Sequence, residues 1–475
     1  MLWMSASITA KIDIMNRILK RFSASLLTIC LAAGILSGCA GSGEQTHETK
    51  APAVTEAAPA SQEAAAVQKP KDYASMVKLN MASETAKQEV TVKTFVDGDT
   101  THFNVPTSID PDGVLKARYL AINTPETTGK VEEYGKAASN FTRQQLEKAE
   151  SIIIESETGE WNADSTGTRY LCWVWYKTAE DEDYRNLNIE ILQNGLAKAN
   201  STANNRYGSM ASEALKQAKT LKLNLYSGEK DPDFFYGEAI ELTLKELRMH
   251  ISDYEGMKVA FTGIVMQGGD NSVYVETYDP ELDLYFGILV YYGFNLSGEG
   301  MEILSLGNEV RIVGTVQYYE AGDSWQISGL KYRAMKPDDP DNLQKLSDGH
   351  AGAFRLTDAE TFVNGKVTVA TEEREEIRDY AELCMQSSVT MENLQVVDIH
   401  TTNDVRSSSH GAMTFTCRQG DLELQVRTAV FRDPDGNLIT EETYLGKTID
   451  VKGVISSFDG QNQIKVYSPK DITIH

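Results

Sequence analysis

Four short segments between residues 97 and 169 carry side chains that could act together on a phosphate ester. Asp97-Gly98-Asp99-Thr100 follows the strand-like run Val92 to Val96. Asp-Gly suits a hairpin turn in which Gly98 supplies a positive φ, yet such a turn does not require the second carboxylate, Asp99. Arg118 lies in another strand-like run, Val114 to Ile122, which leads into Asn123-Thr124-Pro125-Glu126. Read alone, Thr-Pro-Glu is a helix start, with a capping hydroxyl, Pro in the first turn and an acid favoured by the helix dipole. The last segment, Asp164-Ser165-Thr166-Gly167-Thr168-Arg169, enters the apolar run Cys172 to Tyr176, and Arg169 alone reads as a strand-edge charge. Together the residues say more. Asp99 and Asn123 offer oxygens for a hard cation, and Glu126 is a carboxylate able to orient or deprotonate water. Arg118 and Arg169 are planar donors that can fork onto phosphate oxygens. This is the side-chain set for in-line attack on a phosphodiester.

Such a set needs a rigid support, and residues 85–230 alternate strand-like runs with amphipathic helical ones. One helical stretch carries Tyr134, Ala137, Ala138 and Phe141 on one face. A second, Leu187 to Leu196, is apolar at Leu187, Ile191 and Leu192. A third, Tyr207 to Leu225, carries Ala211, Ala214, Leu215, Ala218 and Leu221. The Asp-Gly-Asp-Thr turn, the Arg118 strand, Asn-Thr-Pro-Glu and the Gly167-Thr168-Arg169 entry occur in the order that resembles the staphylococcal-nuclease-like (thermonuclease) family. Asn194-Gly195-Leu196-Ala197-Lys198 and Lys222-Leu223-Asn224-Leu225-Tyr226-Ser227 match it too, so the resemblance spans roughly residues 88–228.

The resemblance implies an OB-type five-stranded barrel with three helices and a Ca²⁺-dependent endonuclease of DNA and RNA that leaves 3′-phosphates. It also implies roles. Asp99, Asn123 and Thr124, the last through its carbonyl, would hold Ca²⁺, with Asp97 and Gly98 forming the supporting turn. Glu126 would handle the attacking water, and Arg118 and Arg169 would hold the phosphate. Three departures stand out. Asn123 replaces the Asp of many members, which removes one charge from the ion. The segment before Arg169 carries a one-residue insertion, with Thr166 in place of an aromatic. Ser201 lies near the place of a base-stacking Tyr, so base preference is not inherited. Glu126 and both arginines remain, and a live nuclease is expected. The alternative is a non-catalytic lipoprotein that binds nucleic acid or a surface partner through the same folds.

After residue 230 the pattern is mainly strands, in segments 238–335 and 352–475, separated by an Asp- and Pro-rich stretch at 336–351 that reads as a linker. Two glycines seven apart with apolar residues between them recur at Gly256/Gly263, Gly307/Gly314 and Gly446/Gly453. A glycine entering a strand and another permitting a sharp bend suit a small barrel. The fold class expected is therefore mainly β with α (α+β), a nuclease barrel followed by two OB-fold-like barrels.

The N-terminus reads as an address. Lys11, Arg17, Lys20 and Arg21 precede the apolar stretch Leu26 to Leu36, which ends Leu36-Ser37-Gly38-Cys39. The ending resembles a bacterial lipobox, which implies cleavage before Cys39 and a lipid on its sulfur; Met15 is a second candidate start. Residues 1–38 are then a signal peptide and 39–84, poor in aromatics, a flexible tether. The place expected is the extracellular face of a Gram-positive membrane, held by the lipid alone, as a monomer without a protein partner. Cys384 and Cys417 could pair in an exported chain, whereas Cys172 reads as a buried free thiol.

Five cysteines in 475 residues exclude a disulfide scaffold, and 41% hydrophobic content excludes a wholly disordered chain. The net charge of −24 is unusual for a protein that acts on polyanions. It is unevenly spread. Residues 81–230 hold 17 basic and 22 acidic side chains, whereas residues 231–475 hold 20 and 41. The excess thus counts against the second half as a general phosphate-binding surface, unless basic residues such as Arg406, Arg418, Arg427 and Arg432 cluster. Catalysis is expected to survive removal of residues 231–475.

Overall fold

A computed structural model describes residues 69–127, 129–201, 204–293, 296, 298–370, 375–403 and 407–475. The segment expected to be a signal peptide, Cys39 and most of the expected tether lie outside the described residues. No helix among those described is long and apolar enough to cross a membrane.

Alternation of buried and open side chains builds the first barrel. In β3 (Val114–Tyr119), Leu115, Ala117 and Tyr119 point inward while Lys116 and Arg118 point out. The other barrel strands are β1 (Lys87–Phe95), β2 (Thr100–Asn104), β5 (Ser151–Glu155) and β6 (Tyr170–Lys177). They run in the order β3-β2-β1-β5-β6, and a parallel pairing of β3 with β6 closes the ring. Short strands β4 (Ile122–Asn123) and β8 (Lys198–Ala199) pair beside it, and β7 (Arg185–Asn186) pairs antiparallel with β6.

Helices α2 (Gly135–Glu147), α3 (Leu187–Gln193) and α4 (Gly208–Thr220) pack around the barrel. The small residues Ala211, Ala214 and Ala218 bring α4 close, as their spacing suggested. That helix ends at Thr220 rather than Leu225, because Lys222 and Asn224 take positive φ. A further short helix, α1 (Tyr73–Met76), lies in what was expected to be tether. Asp72 receives both Nη atoms of Arg185 at 2.7 and 3.1 Å, and Ala74 is fully buried. The chain is therefore packed from Asp72 onward, not from residue 85.

Two more barrels follow. The second uses β10 (Lys258–Gly269), β11 (Ser272–Asp279), β12 (Leu284–Tyr291), β13 (Glu309–Tyr319) and β14 (Ser324–Ser328), with β9 (Ile240–Glu241) alongside β10. Strand β15 (Gln344–Ser347) pairs with β13 and Leu343 is buried, so part of the expected linker belongs to this barrel. Beyond β16 (Arg355–Leu356) and the hairpin β17 (Lys366–Ala370) and β18 (Glu375–Asp379) comes the third barrel. It comprises β19 (Ser388–Thr401), β20 (Ala412–Gln419), β21 (Leu422–Val430), β22 (Thr448–Phe458) and β23 (Gln461–Val466), with β24 (Ile472–Ile474) on β22. All three barrels share one topology, in which the first strand pairs with the fourth and the third and fifth run parallel. The chain is mainly β with a few helices.

Barrels two and three share one continuous apolar core. Buried Glu276 of β11 accepts from the main-chain and side-chain donors of Ser388 on β19, each at 2.9 Å. Cys384 and Cys417 are buried free thiols, so the pairing considered for them is absent.

The recurring glycines serve the barrels in two ways. Gly256, Gly307 and Gly446 have φ of +76°, +82° and +75°, which glycine adopts without strain. Gly263, Gly314 and Gly453 instead sit where a Cβ would meet neighbouring carbonyl oxygens at 2.9, 2.7 and 2.6 Å. Gly453→Ala should therefore cost about 1–3 kcal/mol in urea unfolding. Gly268→Ala, in open space at ordinary φ, should stay within about 0.5 kcal/mol. Equal effects at the two positions would refute the steric account.

Candidate active site

Asp99 begins the site and is fully buried just before β2. Its Oδ1 accepts from Arg118 Nη1 and its Oδ2 from the Thr124 amide at 2.8 Å. The Asp99 amide donates to Asp97 Oδ1 at 3.0 Å. Arg118, on the outer side of β3, donates its other end to Asn123 Oδ1 at 2.5 Å. One guanidinium thus bridges the two side-chain oxygens that the sequence marked for a cation.

Gly98 is glycine for a reason other than the one expected. Its φ is not positive; a Cβ there would meet Ala138 Cβ and Thr124 Cγ2, both at 2.8 Å. Its carbonyl accepts from Thr142 Oγ1 of α2 at 2.6 Å, which ties the turn to the helix.

The Asn-Thr-Pro-Glu segment is not a helix start. Residues 124–126 are irregular and α2 begins only at Gly135. The Glu126 carbonyl accepts from the Glu132 amide at 2.9 Å, and a Cβ on Gly135 would lie 2.6 Å from it. Tyr134, at φ +64°, donates its amide to buried Asp231 Oδ2 at 2.6 Å. The close approach of Gly135 and the anchor at Asp231 set where Glu126 stands.

Arg169 stands apart from this cluster. Its Nε donates to Asp164 Oδ2 at 2.7 Å and its Nη2 lies within ion-pair distance of the same oxygen, also 2.7 Å, in a turn where Gly167 has φ +73°. Its charge nevertheless reaches the Glu126 carboxyl. The structure thus joins Asp97, Gly98, Asp99, Arg118, Asn123 and Thr124 by direct contact. Glu126 and Arg169 are related to them through chain adjacency and field.

The electrostatics follow from burial. Burial first, then the charge of Asp97, push Asp99 up to about 7, and Arg118 with the Thr124 amide only partly offset them. Burial and Asp97 likewise raise Glu126 above the ordinary range, against the pull of Arg118 and Arg169. For Asp164 the balance reverses. Burial would raise it, but hydrogen bonds from Thr166 and Arg169 hold it below its usual value.

The donor set fits a hard divalent cation. Asp99 offers a carboxylate, Asn123 an amide oxygen and Thr124 a main-chain carbonyl, all oxygen ligands of the kind Ca²⁺ takes. Among the described residues no three His, Cys, Asp or Glu side chains form a metal cluster.

Several supporting residues escaped the sequence reading. Asn188 of α3 is fully buried and donates to the carbonyls of Leu120 and Cys172 at 2.9 and 3.0 Å. Its Oδ1 accepts from the Val174 amide at 2.9 Å, locking helix to strands. A lone amide in the apolar run Leu187 to Leu192 was the available signal, since buried polar groups are bonded. Lys198 pairs in register with Asn123 across β4 and β8, putting a cation beside the site.

The second barrel also reaches the site. Buried Gln317 of β13 donates through Nε2 to the Thr127 carbonyl, one residue past Glu126, and accepts from Ser328 Oγ of β14. Asp231 and Gln317 both lie beyond the cut at 230. Removing them strips the partners from the Tyr134 amide and the Thr127 carbonyl, which counts against the expectation that catalysis survives truncation.

The site thus sets a buried carboxylate, a bridging arginine and a following acidic loop on a five-stranded barrel. Residues 116–228 match the family model described as staphylococcal nuclease homologue. Over 140 residues the chain is 34% identical to the thermonuclease of Staphylococcus intermedius, a match covering 28% of this chain and 74% of that protein. The chain belongs to the staphylococcal nuclease homologue family.

Both raised carboxyls bind protons more tightly folded than unfolded, so each contributes stability at low pH that is lost as pH rises. For Asp99 the window runs from its unfolded value near 4 to about 7. In chelator, wild type should therefore lose stability relative to Asp99→Asn between pH 5 and 8, measured by urea unfolding. A wild type that gains on the variant over that range would contradict the assignment.

Proposed function

We propose that residues 85–230 form a nuclease that hydrolyses phosphodiester bonds of DNA and RNA with the help of Ca²⁺, leaving 3′-phosphates. The observation that carries this reading is the joining of buried Asp99 to half-buried Arg118 and Asn123 in one hydrogen-bonded cluster, with Glu126 two residues beyond the Thr124 contact. Asp99, Asn123 and the Thr124 carbonyl would hold the ion, which would supply positive charge at the phosphate.

The chain's own groups account for the remainder. Glu126, held above the ordinary carboxylate range, is suited to take a proton from water. Arg118 is poised to exchange its carboxylate and amide partners for phosphate oxygens. Arg169, anchored on Asp164, would brace the other side of the phosphate. A guanidinium serves here where an ammonium would not, because its fork can stay on an acceptor while reaching a second one. Lys198, beside Asn123, adds charge for an approaching strand.

The N-terminal address supports placing this nuclease outside the cell. A lipid on Cys39 would fasten it to the membrane, and residues 40 to about 71 would let it range over nearby extracellular nucleic acid. Substrate recovery or clearance of extracellular DNA and RNA is the role that fits.

Digestion of plasmid DNA and of RNA, with Ca²⁺ and with chelator, tests the reading. Wild type should cut both polymers only with Ca²⁺, and Glu126→Gln should be slower by about 10²–10⁴-fold. Undiminished cutting by Glu126→Gln would overturn the role of Glu126. Absence of cutting by folded wild type would favour the alternative, a binding protein without catalysis.

A further inference from the structure

A cleft of about 1470 Å³ runs across barrels two and three. Its chemistry differs from that of the half that contains it. Residues 231–475 carry twice as many acids as bases, yet the cleft lining holds three acids, Asp270, Asp323 and Glu382, against Arg248, Arg427 and Lys465.

Two of these cations stand in adjacent strands. Arg427 on β21 and Lys465 on β23 are paired in register, and both point out of the barrel because Val426 and Ile464 point in. Among the described residues Arg427 donates only to neutral acceptors, Thr414 Oγ1 at 2.9 Å, Thr402 Oγ1 at 3.0 Å and the Ala412 carbonyl at 3.5 Å. Lys465 Nζ lies 5.1 Å from the Tyr467 ring centre. Among the described residues neither forms an ion pair. Burial holds both below their ordinary pKa, with Asp270 only partly opposing it at Lys465. Further along, Arg248 keeps Nε and Nη1 buried without a hydrogen-bond partner among the described residues. Asp323 is occupied by the Tyr318 hydroxyl at 2.5 Å.

Of the four arginines singled out from sequence, one belongs to this cluster among the described residues. Arg406 lies outside the described residues, Arg418 pairs with Glu423 at 2.5 Å, and Arg432 donates to the Gly436 carbonyl at 2.8 Å. Among the described ones Arg427 alone faces the cleft, and its companion is Lys465.

Aromatic rings occupy the same cleft. Tyr318, Tyr319 and Phe458 all line it and are 40%, 44% and 67% exposed. The Tyr318 and Trp325 rings lie 5.1 Å apart. Val96 also lines it, three residues before Asp99. Three residues of chain span at most about 11 Å, so the cleft opens close to the candidate active site.

We propose that this cleft binds single-stranded nucleic acid, holding phosphates on Arg427 and Lys465 and bases on Tyr318, Tyr319 and Phe458, and so guides a strand to the nuclease barrel. The proposal extends the nuclease reading and rests on it for the strand's destination. Cations short of negative charge call for phosphates, and exposed rings call for planar bases. A duplex keeps its base faces stacked, so the single strand is the form that satisfies both. A sulfated polysaccharide offers the charge without the rings.

Fluorescence anisotropy of labelled (dT)₂₀ with the full chain in chelator tests this. The double variant Arg427→Gln/Lys465→Gln should bind at least 10-fold more weakly. Its salt-dependence slope should be smaller by about 1.4, two contacts at about 0.7 each for a single strand. Phe458→Ala, which removes an exposed ring, should weaken (dT)₂₀ by about 5-fold or more while leaving heparin binding unchanged. Unchanged (dT)₂₀ affinity and salt slope in the folded double variant would overturn the proposal. So would equal losses of (dT)₂₀ and heparin in Phe458→Ala. If the double variant fails to fold, Phe458→Ala alone decides. The nuclease reading fails separately: a wild type that cuts nothing with Ca²⁺, yet binds (dT)₂₀ through the cleft, would sink that reading and leave the cleft intact.

Discussion

A charge sealed from water at Asp99 is the constraint on which the first barrel's arrangement depends. An uncompensated buried carboxylate costs several kcal/mol, and the groups that compensate it come from separate parts of the chain. Arg118 arrives on β3, the Thr124 amide on the loop after β4, and the Thr100 hydroxyl from β2, 3.2 Å from Oδ1. Satisfying this one group fixes the hairpin, the outward face of β3 and the departure of the loop carrying Glu126. The compensation is incomplete, since Asp97 adds a second negative charge and Asp99 stays up near 7. A site left short of positive charge at its centre is one that further positive charge would stabilise. In the proposed reaction the same deficit becomes the means of holding a cation beside a phosphate.

The repeated barrel is put to different uses along the chain. The first barrel carries the cluster on the end where β1 turns into β2. The second reaches back to it, with Gln317 on the Thr127 carbonyl and Arg143 of α2 paired with Glu320. The third shares its core with the second, and the two together form the cleft. The proposed binding of a polyanion by an acidic chain rests on local balance. The cleft lining holds acids and bases in equal number, whereas the half that contains it holds twice as many acids as bases.

What the sequence disclosed, and what it hid, follows distance along the chain. The strand-like run from Val114, the small-residue stripe of α4 and the paired glycines are local patterns, and each led to the right element. The paired glycines were legible because both a positive φ and a close approach exclude any side chain, whatever the partner is. Motif order placed Asp99, Arg118 and Asn123 in one site, and the structure joins them. Gly98 was recognised as necessary, but its reason, the space between Ala138 and Thr124, depends on a helix forty residues away. Thr-Pro-Glu looked like a helix start because the alternative holds are remote: Asp231 lies 97 residues from Tyr134 and Gln317 lies 190 from Thr127. The packed segment from Asp72 was hidden in the same way, since its partner Arg185 is 113 residues on. Arg427 and Lys465 become a pair only through the parallel third-to-fifth strand contact, which spacing does not announce.

The central claim is that the charge of Asp99 makes this cluster a place for a cation. The most direct measurement is the change in unfolding free energy on adding Ca²⁺ at pH 8, for wild type and Asp99→Asn. The account predicts that wild type gains about 2–3 kcal/mol at roughly 100-fold excess over its dissociation constant, and that Asp99→Asn gains almost nothing. Equal gains in both proteins, or none in wild type at millimolar Ca²⁺, would contradict it.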